Sequence, residues 1–339
     1  MTQRWTRRPA GSNWGEFGGD DQLGRLNLIT PECRRKAALE IQTGRSFCLS
    51  LPLDVPRAPL SPHRRAPQQS FVRRREGRPS VNYPLQLENE AYTDVVCDDH
   101  FTVFSQYSTQ WDSLAHVGQH FDADDDGSRE IVYYNGYRGG IDIVGPEKGS
   151  TDVGALALGV DTMARTGVQG RGVMVDLLPE WRQRPGLVGY DTLMQALEAT
   201  GAMVESGDIL CLHTGYAGAL LDTAQSAAAV DNDHHWPALD GRDARLLRWL
   251  ADSGIAALVA DNVAIEAYPN PPSDGDRYPG LPLHETCLFK LGMPLGELWY
   301  LTELNDWLRE QNRSRFFLTA PPLRLPRAFG SPVTPVATV

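Results

Sequence analysis

The sequence predicts an α/β layered fold. Stretches with apolar residues at helical spacing end in glycine, and short apolar runs of strand length follow those glycines. The 32 glycines and 24 prolines among 339 residues keep the elements short. Pro31–Thr43 reads as a helix with Thr30 as its N-cap and Gly44 beyond its end. Ser46–Leu53 reads as a strand. Residues 54–84 hold six prolines and a cluster of arginines, the composition of a long surface excursion serving as a lid or dimer arm. Its run Arg73–Arg75 reads as a solvated face, with an anion clamp as the alternative. Strand Gly172–Leu178, helix Tyr190–Thr200 with Gly201 after it, strand Asp208–Thr214, helix Asp240–Ser253 with Gly254 after it, and strand Ala256–Ala260 complete the pattern. No repeat and no linker interrupts it, so 1–339 reads as a single domain.

Charge and composition exclude several classes. Lys plus Arg is 32 against 43 Asp plus Glu, a net charge of −11. An acidic chain repels phosphate backbones, which argues against nucleic acid as a partner. No apolar run reaches the ~20 residues of a membrane span, and the basic start MTQRWTRRPAGSNWG lacks the apolar region of a secretory signal. The five cysteines are scattered without Cys-x-x-Cys spacing, as in reduced cytoplasmic proteins. No Gly-x-Ser-x-Gly elbow, P-loop or dinucleotide fingerprint is present.

Chemistry concentrates in Gln106-Tyr-Ser-Thr-Gln-Trp-Asp-Ser-Leu-Ala-His116. Gln110 and Asp112 are two apart, so on an extended segment they face one way and Trp111 the other. A turn after Asp112 brings His116, four residues on, back beside it. A carboxylate, an amide oxygen and an imidazole together hold a divalent cation and orient a water. Exposed polar residues at this spacing are the alternative.

The stretch resembles the signature of the cyclase family of metal-dependent hydrolases, which includes kynurenine formamidase, isatin hydrolase and trans-dienelactone hydrolase. That signature is His-x-Gly-x-His-x-Asp-x-Pro-x-His, and this chain has Gln106, Gln110, Asp112, Leu114 and His116 at the corresponding places. The likeness runs almost end to end, through Asn13–Thr30, Tyr133–Tyr137, Arg171–Asp176, Gly207–Gly215, Ala260–Glu266, Leu283–Glu297 and Pro321–Pro326 with Gly330-Ser-Pro. It implies a swivelling β/α/β fold, usually oligomeric (a homodimer or homotetramer), acting on a small-molecule amide, ester or lactone carbonyl. Carried over, it makes Asp112 a metal ligand and His116 the acid/base. His284 and Glu297, thirteen apart, correspond to the later metal-site pair, with Glu297 as a second-metal ligand or alternative base.

Gln106 and Gln110 depart from the two signature histidines. A neutral carbonyl oxygen is harder and a weaker donor than imidazole, which weakens Zn²⁺ binding and shifts preference toward Mn²⁺, Mg²⁺ or Ca²⁺. The expected cofactor is a divalent ion, Mn or Zn, held by Gln110, Asp112 and His284, with His116 and Glu297 catalytic. Gln106, Trp111, Tyr134 and Asn135 are the candidate substrate contacts, with core packing as the default for Trp111. The ion lowers the pKa of water and polarises the carbonyl, and His116 shuttles the proton. Two alternatives stay open: a non-catalytic small-molecule binding protein, and a metal-free lyase or isomerase with His116 as base. His213 reads as a hydrogen-bonded strand-end residue, and His120 as possible support for the site. Asp261 and Glu266 either support the site or cap the next element. Asp122–Asp126 reads as a solvated loop, and His234 and His235 as an exposed one.

Overall fold

The computed structural model describes residues 4–147, 151–226, 236–273 and 277–339, with backbone only for 224–226. His234 and His235 lie outside the described residues. Nine strands form one mixed sheet. In chain order they are β1 (Ser46–Cys48), β2 (Gln110–Asp112), β3 (Gln169–Asp176), β4 (Ile209–His213) and β5 (Ala257–Ala260). Then come β6 (Leu295–Glu297), β7 (Arg315–Thr319), β8 (Gly330–Pro332) and β9 (Val336–Thr338). Across the sheet the order is β1-β9-β7-β3-β4-β5-β6-β2-β8. The centre, β3 to β6, is parallel, and the flanking pairings are antiparallel.

The helices are α1 (Pro31–Ala38), α2 (Val160–Thr166), α3 (Leu178–Gln183), α4 (Tyr190–Ala199), α5 (Tyr216–Ser226), α6 (Ala244–Asp252), α7 (Pro282–His284) and α8 (Thr302–Glu310). Thr30 caps α1, its hydroxyl accepting from the Cys33 amide. The helix stops five residues before the expected Thr43. The predicted Asp240–Ser253 helix starts only at Ala244, because Asp243 accepts from the amides of Arg245 and Leu246 and so acts as N-cap. The strand expected over Ser46–Leu53 pairs only to Cys48, with Ser50 adding a single bridge to Trp299. The excursion carries small antiparallel pairs of its own, among them Gln68–Phe71 with Asp99–Thr102. Its arginine run is spent internally: Arg73 donates to Gly77 O, Arg74 to Glu88 and Asp98, and Arg75 to Leu87 O.

Strand alternation sorts the buried residues to two faces. Leu210, Leu212, Leu258 and Leu295 join one cluster, with Trp14 and Leu283. Cys211, Val259, Trp111 and Trp299 join the other, with Leu304 and Leu308 of α8. The N-terminal segment is locked on by contacts as close as Gly24 against Gly292. Gly24 has φ +57, and a Cβ there would fall 2.0 Å from Gly292 O. Buried Arg25 then donates to Leu250 O at 2.7 Å and to Ala251 O, serving the C-terminal carbonyls of α6.

His213, Asp176 and Asp261 share the second face at the carboxyl ends of the central strands. His213 Nδ1 lies 2.8 Å from Asp176 Oδ1, and its Nε2 lies 3.3 Å from Thr302 Oγ1 and 4.0 Å from Asp261 Oδ2. Asn305 donates to the other Asp176 oxygen at 3.1 Å, so the group ties α8 to the sheet. His213 is thus a hydrogen-bonded strand-end residue. Burial lowers its pKa, but the two carboxylates outweigh that and hold it above the ordinary 6.5. Burial raises Asp176, yet its hydrogen bond to His213 leaves it below 3.8. The His213 contribution is complete below pH 6.5 and is lost as pH rises through the higher folded value. The Asp176 contribution is complete above pH 3.8 and is lost as pH falls through the lower folded value. Replacing His213 by leucine leaves a buried carboxylate without its cation and costs about 3 kcal/mol between those limits. Thermal unfolding of wild type and His213→Leu across pH 5 to 10 is expected to show a gap that narrows as pH rises. A gap that stays constant contradicts the assignment.

Candidate metal centre

The site is built by pairing. β2 runs antiparallel to β6, with Gln110 opposite Glu297 and Asp112 opposite Leu295. Directly paired side chains on one face touch, and Gln110 Nε2 donates to Glu297 Oε2 at 2.9 Å. A turn with His116 N donating to Ser113 O at 3.0 Å returns His116 to the carboxylate. His116 Nε2 stands 3.9 Å from Asp112 Oδ1. His284 closes α7 just before a π-helical turn, Glu285–Lys290, a geometry frequent at functional sites. Its ring centroid is 6.4 Å from that of His116.

Glu266 aims His284. Its Oε1 accepts from His284 Nδ1 at 2.8 Å and from His284 N at 3.0 Å, and its Oε2 accepts from Leu283 N at 3.0 Å. Two positive-φ residues, Ala264 (φ 64) and Ile265 (φ 61), precede it. A β-branched residue there is an outlier, held because the bends deliver Glu266 to the helix start. His284 Nε2 is left facing Glu297 Oε1 at 3.2 Å. Burial would lower the His284 pKa, but Glu266 and Glu297 push it up to about 10, so in this arrangement an imidazolium bridges two carboxylates. Burial raises Glu297 as well, but the bond to His284 prevails and holds it below the ordinary 4.5. Asp112 goes the other way: burial lifts it above 3.8.

Asp112, His284 and Glu297 each offer a donor atom, and these atoms lie within 4.8 Å of one another. This is the only such group among the described residues. Both Asp112 oxygens and Gln110 Oε1 are buried without any hydrogen-bond partner. A buried carboxylate with two unpaired oxygens is costly, and a cation between these atoms removes the cost. The set of three oxygen-bearing side chains and one imidazole suits a divalent ion.

Glu297 has both oxygens engaged, by Gln110 and by His284, and groups with Asp112 and His284 as a candidate donor, the ligand role expected for it beside that of alternative base. His284 lies with Asp112, as expected, and Glu297 joins them. Several expectations need correction. Trp111 is a packing residue. It is fully buried on the opposite face, donates from Nε1 to Ala320 O at 2.8 Å and meets Trp299 edge-on at 5.1 Å. Tyr134 and Asn135 anchor the N-terminal segment instead of substrate. Asn135 accepts from Gly15 N and donates to Gly18 O and Asp21 O, and the Tyr134 hydroxyl meets Asp21. Gln106 does lie near the site. Its amide rests over Gly330, where a Cβ would fall 2.5 Å from Nε2, and Gly330 pairs with Asp112. His120 is exposed on a hairpin strand, Gln119–Phe121. Asp261 serves the Thr214 and Gly215 amides on the other face, and Asp122 caps its own loop through the Asp126 and Gly127 amides.

Comparison places these features in a family. Residues 48–267 match the family described as "Putative cyclase". A crystal structure described as a novel cyclase shares 29% identity with a TM-score of 0.75, covering 97% of each chain. Isatin hydrolase A from Ralstonia solanacearum shares the fold at 14% identity and TM-score 0.55, over 91% of this chain and 97% of its own. Isatin hydrolase A from Labrenzia aggregata, bound to benzyl benzoate, does so at 14% and 0.55, over 87% and 93%. No curated protein matches the chain. No described helix is long and apolar enough to cross a membrane. The α/β cyclase-like fold expected from the sequence is the one found, and the chain belongs to this cyclase family.

Proposed function

We propose that the chain is a metal-dependent hydrolase that opens an amide, lactone or ester carbonyl of a small molecule. The observation that supports it is the set of unpaired buried oxygens, Asp112 Oδ1 and Oδ2 and Gln110 Oε1, beside His284 and Glu297. Gln110 Oε1, Asp112, Glu297 and His284 Nε2 would hold the ion. Three oxygen donors favour Mn²⁺ over softer-ligand metals, with Zn²⁺ the runner-up. When bound, the ion supplies a polarised carbonyl and water of lowered pKa. Glu266 keeps the Nδ1 proton of His284, which orients the ring with Nε2 toward the donor group. Gln110 donates to Glu297 through its nitrogen, which turns its oxygen to the same point.

His116 is the proton carrier. Its side chain is 24% exposed, unlike the buried donors around it, so it reaches both the site and solvent. It takes the proton of the attacking water and returns it to the leaving nitrogen or oxygen. Glu266, which holds His284, also borders a half-open pocket of about 110 Å³ lined by Leu60, Tyr216 and Trp236. It suits a small flat group. The homo-oligomer and the cytoplasmic location belong to this reading as proposals, checked by light scattering and fractionation.

The test is turnover of formanilide and phthalide in ¹⁸O-labelled water, read by mass spectrometry. Phthalide is expected to gain one water and carry the label, and formanilide to split into aniline and labelled formate. A product of unchanged mass overturns hydrolysis in favour of an isomerase.

A further inference from the structure

Arg64 stands in the Pro-rich excursion, 48 positions before Asp112, yet the fold brings it to the metal centre. Two contacts fix the segment. Leu60 packs on a cluster that includes Tyr216 and Leu298, the neighbour of Glu297. A turn follows, with Arg64 N donating to Ser61 O at 3.2 Å. The guanidinium then donates through Nη1 to the carbonyl oxygen of Gln106, the residue whose amide covers Gly330 beside Asp112. A guanidinium has five N–H donors, and this is the one hydrogen bond that the Arg64 guanidinium makes among the described residues. No carboxylate lies within ion-pair range of it there. It does act over longer range: its charge bears on both Asp112 and Glu297.

A half-buried cation with most of its donors free, at a centre holding Asp112, Glu297 and Glu266, has a clear electrostatic role. The carboxylates face the cation site and the His284 imidazole and give an anionic substrate group no partner, whereas an arginine fork offers the paired N–H geometry that carboxylates match. We propose that Arg64 is the specificity-determining residue of this site and that it binds a carboxylate carried by the substrate. The substrate class is then an anionic carbonyl compound, a carboxylate-bearing amide or lactone. This rests on the hydrolase reading above. The chemistry is ground-state binding, so Arg64 acts on substrate affinity and leaves the bond-breaking step to His116 and the metal donors.

Two matched probes test it: 2-formamidobenzoate, which carries the carboxylate, and formanilide, which lacks it. The wild-type holoenzyme is expected to favour 2-formamidobenzoate. Arg64→Gln is expected to raise its KM about tenfold or more, the size of a charge-assisted pair, with kcat little changed. The KM of formanilide should change much less, and circular dichroism shows that the variant is folded. Arg64→Lys, a point charge without the fork, should recover part of the loss. Equal KM values for the two probes in wild type overturn the proposal. So does a loss in Arg64→Gln that is the same for both probes, or one confined to kcat. If neither probe is hydrolysed, the hydrolase reading fails separately, and calorimetry with anthranilate and aniline decides the Arg64 question. Tighter anthranilate binding that disappears in Arg64→Gln supports it, and equal binding overturns it.

Discussion

Replacing His116 with alanine is expected to lower kcat by about a thousandfold, within the range of lost general acid–base catalysis, and to leave the metal in place. The reason is position. His116 Nε2 is 3.9 Å from Asp112 Oδ1, close enough to work at the centre but outside the group of Asp112, His284 and Glu297. Removing a donor would empty the site, whereas removing His116 should disable proton transfer alone. Kinetics paired with elemental analysis of the same preparation check both parts. An inactive His116→Ala protein that has also lost its metal would move His116 into the ligand set. Unchanged turnover would remove it from the mechanism.

The second large effect is at Glu266. It is fully buried and holds four groups: His284 Nδ1, the Leu283 and His284 amides, and the Asn270 side-chain amide. Glu266→Leu strips all four of their acceptor and leaves the imidazole without its partner. Breaking a buried pair in this way costs about 3–5 kcal/mol, and loss of an outer partner weakens metal binding about 10- to 100-fold. Glu266→Gln keeps an acceptor for the Nδ1 proton and should fall between this variant and wild type. Denaturant titration and metal titration of the three proteins measure the two effects. A Glu266→Leu protein of wild-type stability and affinity would show that His284 needs no such support.

The legible part of the site was the local part. Gln110 and Asp112 are two apart on a strand, so period-two alternation places them together and sends Trp111 to the opposite face. The turn that returns His116 needs only four residues. The helix–glycine–strand pattern likewise gave β4, β5 and α4 to within a residue or two, because cap and turn chemistry is local. What could not be read locally was pairing. Gln110 meets Glu297 because β2 is antiparallel to β6, and 187 positions separate them. Only the likeness to the family pointed to that partner. Glu266 was left undecided between support and cap, and it does both, an outcome that depends on the two positive-φ residues before it. Tyr134 and Asn135 looked like site groups because they are polar in a turn-like stretch. They are satisfied by an N-terminal segment more than a hundred residues away. Arg64 was legible only as one of the excursion's arginines, and the anion-binding alternative was placed on Arg73–Arg75, because the docking of Leu60 that brings Arg64 inward is not local in sequence.

The central claim is that the unpaired oxygens of Asp112 and Gln110, with Glu297 and His284, form a cation site. Its most direct test is metal content by elemental analysis of wild type and Asp112→Ala. Both would be loaded with Mn²⁺ or Zn²⁺, dialysed, and checked for native circular dichroism. About one equivalent per chain in wild type, absent from the folded variant, is the predicted result. No retained metal in wild type, or equal metal in both proteins, would contradict the site.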